Sequence, residues 1–321
     1  MNQAIVAAVA LLVAAAAGPA PAADRFTPVS GHCYFLPVEE TGWNIAAVVT
    51  GQGTLLFDPP PEPDLTAVVS ALERIPGGSV RWMVRTGFSF AQTAGVEHFA
   101  REGAVMLSGF RQQEPLLPPA KAEGAEAEGV LDYPRILRME PPAYPLFTFK
   151  REMYLYPEDL EIRIQALPHA ARTVADIVAY VPDEKVLFAG SLFEASRYPD
   201  IDASAGGSAS GWIDALEEVI GSIPLLIPAI PDKESAVSEQ EEKTPEELVS
   251  VVSGRGEVSN LQSVKDVLEA AKGLRRGVSR AVGRGQSCQQ YLDSQAAARY
   301  RIYGNFYPFG AELCRELSRG E

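Results

Sequence analysis

Val84-Arg85-Thr86-Gly87-Phe88-Ser89-Phe90-Ala91-Gln92-Thr93-Ala94-Gly95 joins an apolar, β-rich run, Val80 to Val84, to a stretch of helical character, Gln92 to Arg101. Gly103 stops that helix before a second buried strand, Ala104 to Leu107. Upstream, Ile45 to Val49 and Thr54 to Phe57 flank Gly51-Gln52-Gly53, the pattern of a hairpin with a glycine-bearing turn. Pro59-Pro60-Pro61 then breaks the sheet. Leu65, Val68, Val69, Leu72 and Ile75 recur at helical spacing behind Asp64, a candidate N-cap, until Pro76-Gly77-Gly78. Downstream, Phe147 to Phe149, Met153 to Tyr156 and Leu160 to Leu167 read as antiparallel strands. Asp176 to Val181 and Val186 to Ala189 pair across Pro182-Asp183-Glu184-Lys185. A helix over Gly211 to Ile220, a strand over Leu225 to Ile227 and a long helical stretch from Asn260 follow. In that stretch Val264, Val267, Leu268, Ala271, Leu274 and Val278 share one face, and Ala311 to Leu317 forms a short closing helix. Two mostly antiparallel sheets with helices outside them, a four-layer αββα sandwich with added C-terminal helices, account for this order better than a doubly wound parallel sheet.

Composition narrows the function. The 321 residues are 46% hydrophobic and 22% charged, which excludes a disordered or fibrous chain. With 42 acidic against 28 basic residues the formal charge is −14, and Arg275-Arg276 is the densest basic spot, so no surface for nucleic acid is expected. Met1 to Ala22 has no charged side chain, an apolar run from Ala4 to Ala17 and Ala20-Pro21-Ala22 before Ala23, which reads as a cleavable export signal. That run is shorter than the roughly 20 residues needed to span a bilayer, and no later stretch is long enough, so a periplasmic or secreted protein without a transmembrane segment is expected. The chain divides into the signal, 1–22, a main domain, 23–231, an acidic linker, 232–259, and a helical extension, 260–321, packed on the main domain. Pro115 to Gly129 is a loop by composition. Asp232 to Glu247 holds seven acidic residues against two lysines, over a third of the net charge. In an exported protein the odd set Cys33, Cys288 and Cys314 favours a bridge from Cys288 to Cys314 across a helical hairpin, with Cys33 buried and free. His32-Cys33 leaves a reactive or copper-binding thiol as the alternative.

Several blocks, in order and spacing, resemble the metallo-β-lactamase-fold superfamily of zinc hydrolases. Asn44 to Val49 followed by Gly53 to Asp58 is similar to its opening hairpin with a structural Asp. Val84 to Gly95 is similar to the strand and loop that carry its HxHxDH motif, and Thr173 to Pro182 and Lys185 to Gly190 to its later strands. The resemblance implies the αββα fold and a site for one or two zinc ions, each held by three or four N, O or S donors. Here the motif positions hold Gly87, Ser89, Ala91 and Gln92. The next ligand position is Arg172, the bridging carboxylate position is Ser191, and the last ligand position falls near Ile230. None is a family ligand. The whole chain has only three histidines, His32, His98 and His169.

The residues therefore predict a pseudoenzyme, a non-hydrolytic binding or accessory protein with no metal and no cofactor. Its remnant cleft is lined by Gly87, Ser89, Gln92, Arg172 and Ser191. Arg172 stays protonated, repels a cation and suits an anionic ligand, unless it turns outward or pairs with Asp58 or Asp176. The resemblance also implies a periplasmic partner, since some exported members accompany quinoprotein oxidation systems. Two enzymatic alternatives stand beside this reading. One is a mononuclear metal hydrolase rebuilt from His169, Asp58 and Asp176. The other is a serine hydrolase, because Gly87-Phe88-Ser89-Phe90-Ala91 lies on a strand-to-helix turn. Ser89 then needs a base and an acid, and the order Ser, Asp, His leaves only Asp132 and His169.

Overall fold

The computed structural model describes residues 25–38, 41–87, 93–113, 145–226 and 248–319. The two composition loops, the export signal, Asp132, Ser89 and Gln92 lie outside them. The strands are β1 (Thr27–Pro28), β2 (Cys33–Pro37), β3 (Asn44–Thr50), β4 (Gly53–Phe57), β5 (Val80–Val84), β6 (Val105–Gly109), β7 (Phe147–Phe149), β8 (Glu152–Leu155), β9 (Ile162–Ala166), β10 (Ile177–Val181), β11 (Val186–Gly190), β12 (Ser250–Ser253) and β13 (Ser259–Asn260). The α-helices are α1 (Glu62–Leu72), α2 (Thr93–Arg101), α3 (Phe110–Gln113), α4 (Ala209–Leu226), α5 (Leu261–Gly283), α6 (Cys288–Asp293) and α7 (Phe306–Arg319). β1 to β7 form one sheet in sequence order, and β13-β12-β11-β10-β9-β8 form the other.

Both faces of each sheet are covered, so the central strands read as continuous apolar runs. In β3, Ile45 and Ala47 join a cluster with Val68 and Leu72 of α1 and Val96 and Phe99 of α2. Ala46 and Val48 point the other way, into a layer shared with Ile177, Ala179 and Val181 of β10 and Val186 and Phe188 of β11. Val178, Tyr180, Leu187 and Ala189 face outward onto Trp212 and Leu216 of α4, Leu268 and Leu274 of α5, and Phe309 and Leu313 of α7. These three apolar layers separate four layers of secondary structure, the expected αββα sandwich.

Several elements differ from the sequence reading. The first sheet is mixed: β4, β5, β6 and β7 pair parallel, so Phe147–Phe149 is not an antiparallel strand. Leu225 and Leu226 end α4 instead of forming a strand, because Trp212, Ile213, Leu216, Val219 and Ile223 extend one buried helical stripe. The sheet position beside β11 goes to Ser250–Ser253, which pairs parallel with it, so the span 232–259 is not linker throughout. Asp64 is not an N-cap. It sits inside the first turn of α1, after Pro61, and accepts a 2.8 Å hydrogen bond from Thr41 Oγ1. The closing helix starts at Phe306 because Pro308 falls in the first turn, where no intrahelical N–H bond is needed. Cys288 and Cys314 bridge α6 to α7 as expected, and Cys33 is free and buried. Burial pushes the Cys33 thiol far above its ordinary range, with Glu184 adding to the effect, so it is protonated and inert.

Candidate functional site

The strand ends β4, β5 and β11 converge on one network. Asp58, just after β4, takes a left-handed backbone (φ 52°), which aims its carboxylate back at the chain after β5. Its Oδ1 accepts from Thr86 N (2.8 Å) and its Oδ2 from Thr86 Oγ1 (2.6 Å). Thr86 Oγ1 in turn accepts from Ser191 N at 3.1 Å. Gly190 makes this approach possible: its φ is +47°, and a Cβ there would lie 1.9 Å from Thr86 Oγ1. Asp176 holds the next loop, accepting from Thr173 N (2.7 Å) and Thr173 Oγ1 (2.9 Å). Burial raises its pKa to about 6, against those two hydrogen bonds and the charge of Arg172.

Above this network lies a cleft lined by Trp43, Asn44, Asp58, Gly87, Arg172 and Ser191, among others, with about 50 Å³ open to the centre of a water-sized sphere. Asn44 fixes one wall through Nδ2 hydrogen bonds to Ser253 O (2.8 Å) and Gly256 O (2.7 Å). Three of the five residues expected from the sequence, Gly87, Arg172 and Ser191, meet here. Ser89 and Gln92 fall outside the described residues. Ser191 Oγ and Arg172 Nε are buried, and neither has a hydrogen-bond partner among the described residues. The Arg172 guanidinium makes no ion pair with Asp58 or Asp176, although its charge and its backbone N–H both act on Asp176. Its guanidinium lies over the Trp43 ring, 5.8 Å from the centroid, and that of Arg255 is 4.2 Å from the same ring.

Four residues of this neighbourhood carry no motif. Trp43 and Arg255, stacked on each other, are two of them. Glu194 is fully buried in ion pairs with Arg197 (3.1 Å) and Arg255 (3.9 Å), and burial raises its pKa against the pull of Arg197, Arg255 and Arg172. Arg85 is fully buried, and burial lowers its pKa to about 10 against the charge of Asp58. The available signal was a charged residue directly after an apolar run, Met83-Val84-Arg85 at the end of β5 and Leu192-Phe193-Glu194 beyond β11, where burial leaves a charge only if a partner sits nearby.

The donor set does not suit zinc. Gly87 offers no ligand atom, Arg172 is a cation, and Ser191 is a neutral hydroxyl. A Cβ at Gly87, which any ligand side chain requires, would lie 2.3 Å from Ser191 Oγ and 3.1 Å from Asp176 Oδ1. The histidines are dispersed, each on a carboxylate: His32 Nδ1 on Glu184 (2.7 Å), His98 Nε2 on Glu102 (3.4 Å) and His169 Nε2 on Glu218 (3.7 Å). His169 therefore does not meet Asp58 and Asp176, and the rebuilt mononuclear site does not form. Among the described residues no group of three His, Cys, Asp or Glu is placed to hold an ion.

Comparison with known proteins agrees with this geometry at the level of fold. The metallo-β-lactamase DIM-1 superposes with a TM-score of 0.54 at 15% identity, over 77% of this chain and 96% of its own. A metallo-β-lactamase from Pontibacter korlensis superposes with a TM-score of 0.52 at 16% identity, over 77% of this chain and 98% of its own. The chain has the metallo-β-lactamase fold. No family model matches it, and no curated protein does.

Proposed function

We propose that this protein is a non-hydrolytic member of its fold class, an exported binding or accessory protein whose cleft takes a small anionic ligand in place of a metal. The observation that carries the reading is the pair of buried, unpartnered donors, Ser191 Oγ and Arg172 Nε, at one cleft. A buried donor without an acceptor costs about 1–3 kcal/mol, and a ligand carboxylate relieves both donors at once. Gly87 lets the Ser191 hydroxyl take the space that a side chain would fill, and Trp43 supplies an apolar wall beside the charge. The Cys288–Cys314 disulfide fits an oxidising compartment, in line with an export signal at residues 1–22 and a periplasmic or secreted location. No helix among the described residues is long and apolar enough to cross a membrane. A quinoprotein oxidation system is the partner we favour, on the family resemblance. The division into a main domain, 23–231, and a helical extension, 260–321, belongs to the same proposal.

Titration of the purified protein with benzoate, a carboxylate with an aromatic body, tests the cleft by calorimetry. Saturable binding that weakens at least about tenfold in Arg172→Ala is expected, the loss of one charge-assisted fork. Equal affinity in the two proteins would remove Arg172 from the site and leave it a structural residue.

A further inference from the structure

A second site lies on the C-terminal helices, away from the sandwich cleft and independent of its reading. Between α5, α6 and the turn Ala298–Tyr300 the surface opens into a groove with about 460 Å³ open to the centre of a water-sized sphere. Arg280, Arg284 and Arg299 line it with Gln286, Tyr291 and Tyr300, and none of its lining residues is acidic. In a chain of formal charge −14, three guanidinium groups without a carboxylate among them are a local inversion of sign.

The side chains are arranged for an acceptor. Arg280 in the last turn of α5 and Arg284 at its C-cap stand four positions apart, where like charges repel, and neither side chain makes an ion pair or hydrogen bond among the described residues. The helix C-terminus accounts for cations at these two positions through its dipole. It does not account for Arg299, which comes from a separate turn, nor for Tyr291. Arg299 Nη2 donates to Tyr300 Oη at 2.7 Å, which leaves the phenol proton free for another acceptor. Tyr291 is only 8% exposed, and its hydroxyl has no hydrogen-bond partner among the described residues. It packs so closely on α5 that a Cβ at Gly277 would lie 1.7 Å from it. Arg280 and Arg299 are near enough for their charges to act on that hydroxyl.

We propose that this groove binds a phosphate group. Three guanidinium groups line one opening with Tyr291 and Tyr300 in its wall, and a phosphate dianion presents three oxygens to a fork of this kind. A carboxylate, with two oxygens and one charge, leaves part of the donor set unused. The groove has room for the body that carries the phosphate, whether a soluble monoester or a lipid headgroup.

The full chain is titrated at low salt with inorganic phosphate and, separately, with vesicles of phosphatidylglycerol or of phosphatidylcholine. Saturable phosphate binding is expected, weakened at least about tenfold by Arg280→Gln with Arg284→Gln and severalfold by Tyr291→Phe, which keeps the packed ring. The same losses are expected in an Arg172→Ala background, which keeps the sandwich cleft from contributing to the signal. Binding to phosphatidylglycerol vesicles alone, lost in the double arginine variant, supports the site with a lipid as the source. No binding of either probe, or binding that survives the double substitution, overturns the proposal.

Discussion

At Gly87 the lack of a side chain is a steric commitment. The hydroxyl of Ser191 occupies the space into which a side chain at residue 87 would project, so the two positions are coupled. Gly87→Ala is expected to cost about 1–2 kcal/mol through this overlap, and to fall within ~0.5 kcal/mol of neutral in the Ser191→Gly background. Chemical denaturation of the four proteins of the cycle measures the coupling, and equal costs in both backgrounds would disprove the contact. Asp176 supplies a second test, through pH. Its folded pKa of about 6 stands above the ordinary carboxylate value, so between about pH 4 and 6 the folded protein holds more protons at this site than the unfolded chain. Stability from this group therefore declines as pH rises through that window and stays lower above it, by on the order of 3 kcal/mol. Asp176→Asn removes the decline. The difference in unfolding free energy between variant and parent should shift in the variant's favour from pH 4 to pH 7, and a difference independent of pH would show that Asp176 titrates normally.

The elements show why part of the fold was readable and part was not. Strands such as Asn44–Thr50 and Val186–Gly190 are buried on both faces and bounded by turn residues, so their letters carry the information locally. Ser250–Ser253 is a strand only because β11 offers it an open edge, and its short polar-flanked run has no such local mark. Leu225 and Leu226 could be read as strand or helix until the buried stripe of α4 was seen to continue. The C-terminal helices depend on tertiary ties that spacing only partly announced. Glu316 of α7 is buried and caps α4, accepting from Ala209 N (2.7 Å) and Ser210 N (3.0 Å), while the disulfide joins α6 to α7. Glu316→Ala strands both amides in the interior and should cost about 2–3 kcal/mol, where a solvated surface Glu would cost almost nothing. The bridge closes a span of 26 residues, so replacing both cysteines with serine should lower stability by about 3–4 kcal/mol. Reductant should produce that loss in the parent and no change in the double variant. An equal response in both would place the stability of the helical hairpin elsewhere.

Over the whole molecule, the proposed non-hydrolytic reading puts the burden of holding the cleft loops on the protein's own hydrogen bonds. Where the fold holds an ion, binding free energy and folding free energy are linked, and removing the ion destabilises the protein by mass action. The loops that meet at the cleft are fastened by hydrogen bonds from Thr86 to Asp58, Ser191 to Thr86, Thr173 to Asp176 and Asn44 to the 253–256 turn. The resemblance marks Asp58 as a framework position and Ser191 as a ligand position, and its blocks do not reach the 253–256 turn. Which of these hydrogen bonds bears load depends on distances that no single sequence records. The consequence is measurable. The purified protein should carry well under one equivalent of zinc, iron or manganese by elemental analysis, and a strong chelator should leave its thermal midpoint unchanged. Thr86→Val, which deletes the hydroxyl that bridges Asp58 and Ser191 while keeping its volume, should lower that midpoint by several degrees, since about 2 kcal/mol of buried hydrogen bonding is lost. A stoichiometric ion whose removal destabilises the fold more than Thr86→Val does would reverse this account. Metal would then hold the loops together, and the protein hydrogen bonds would be its supports.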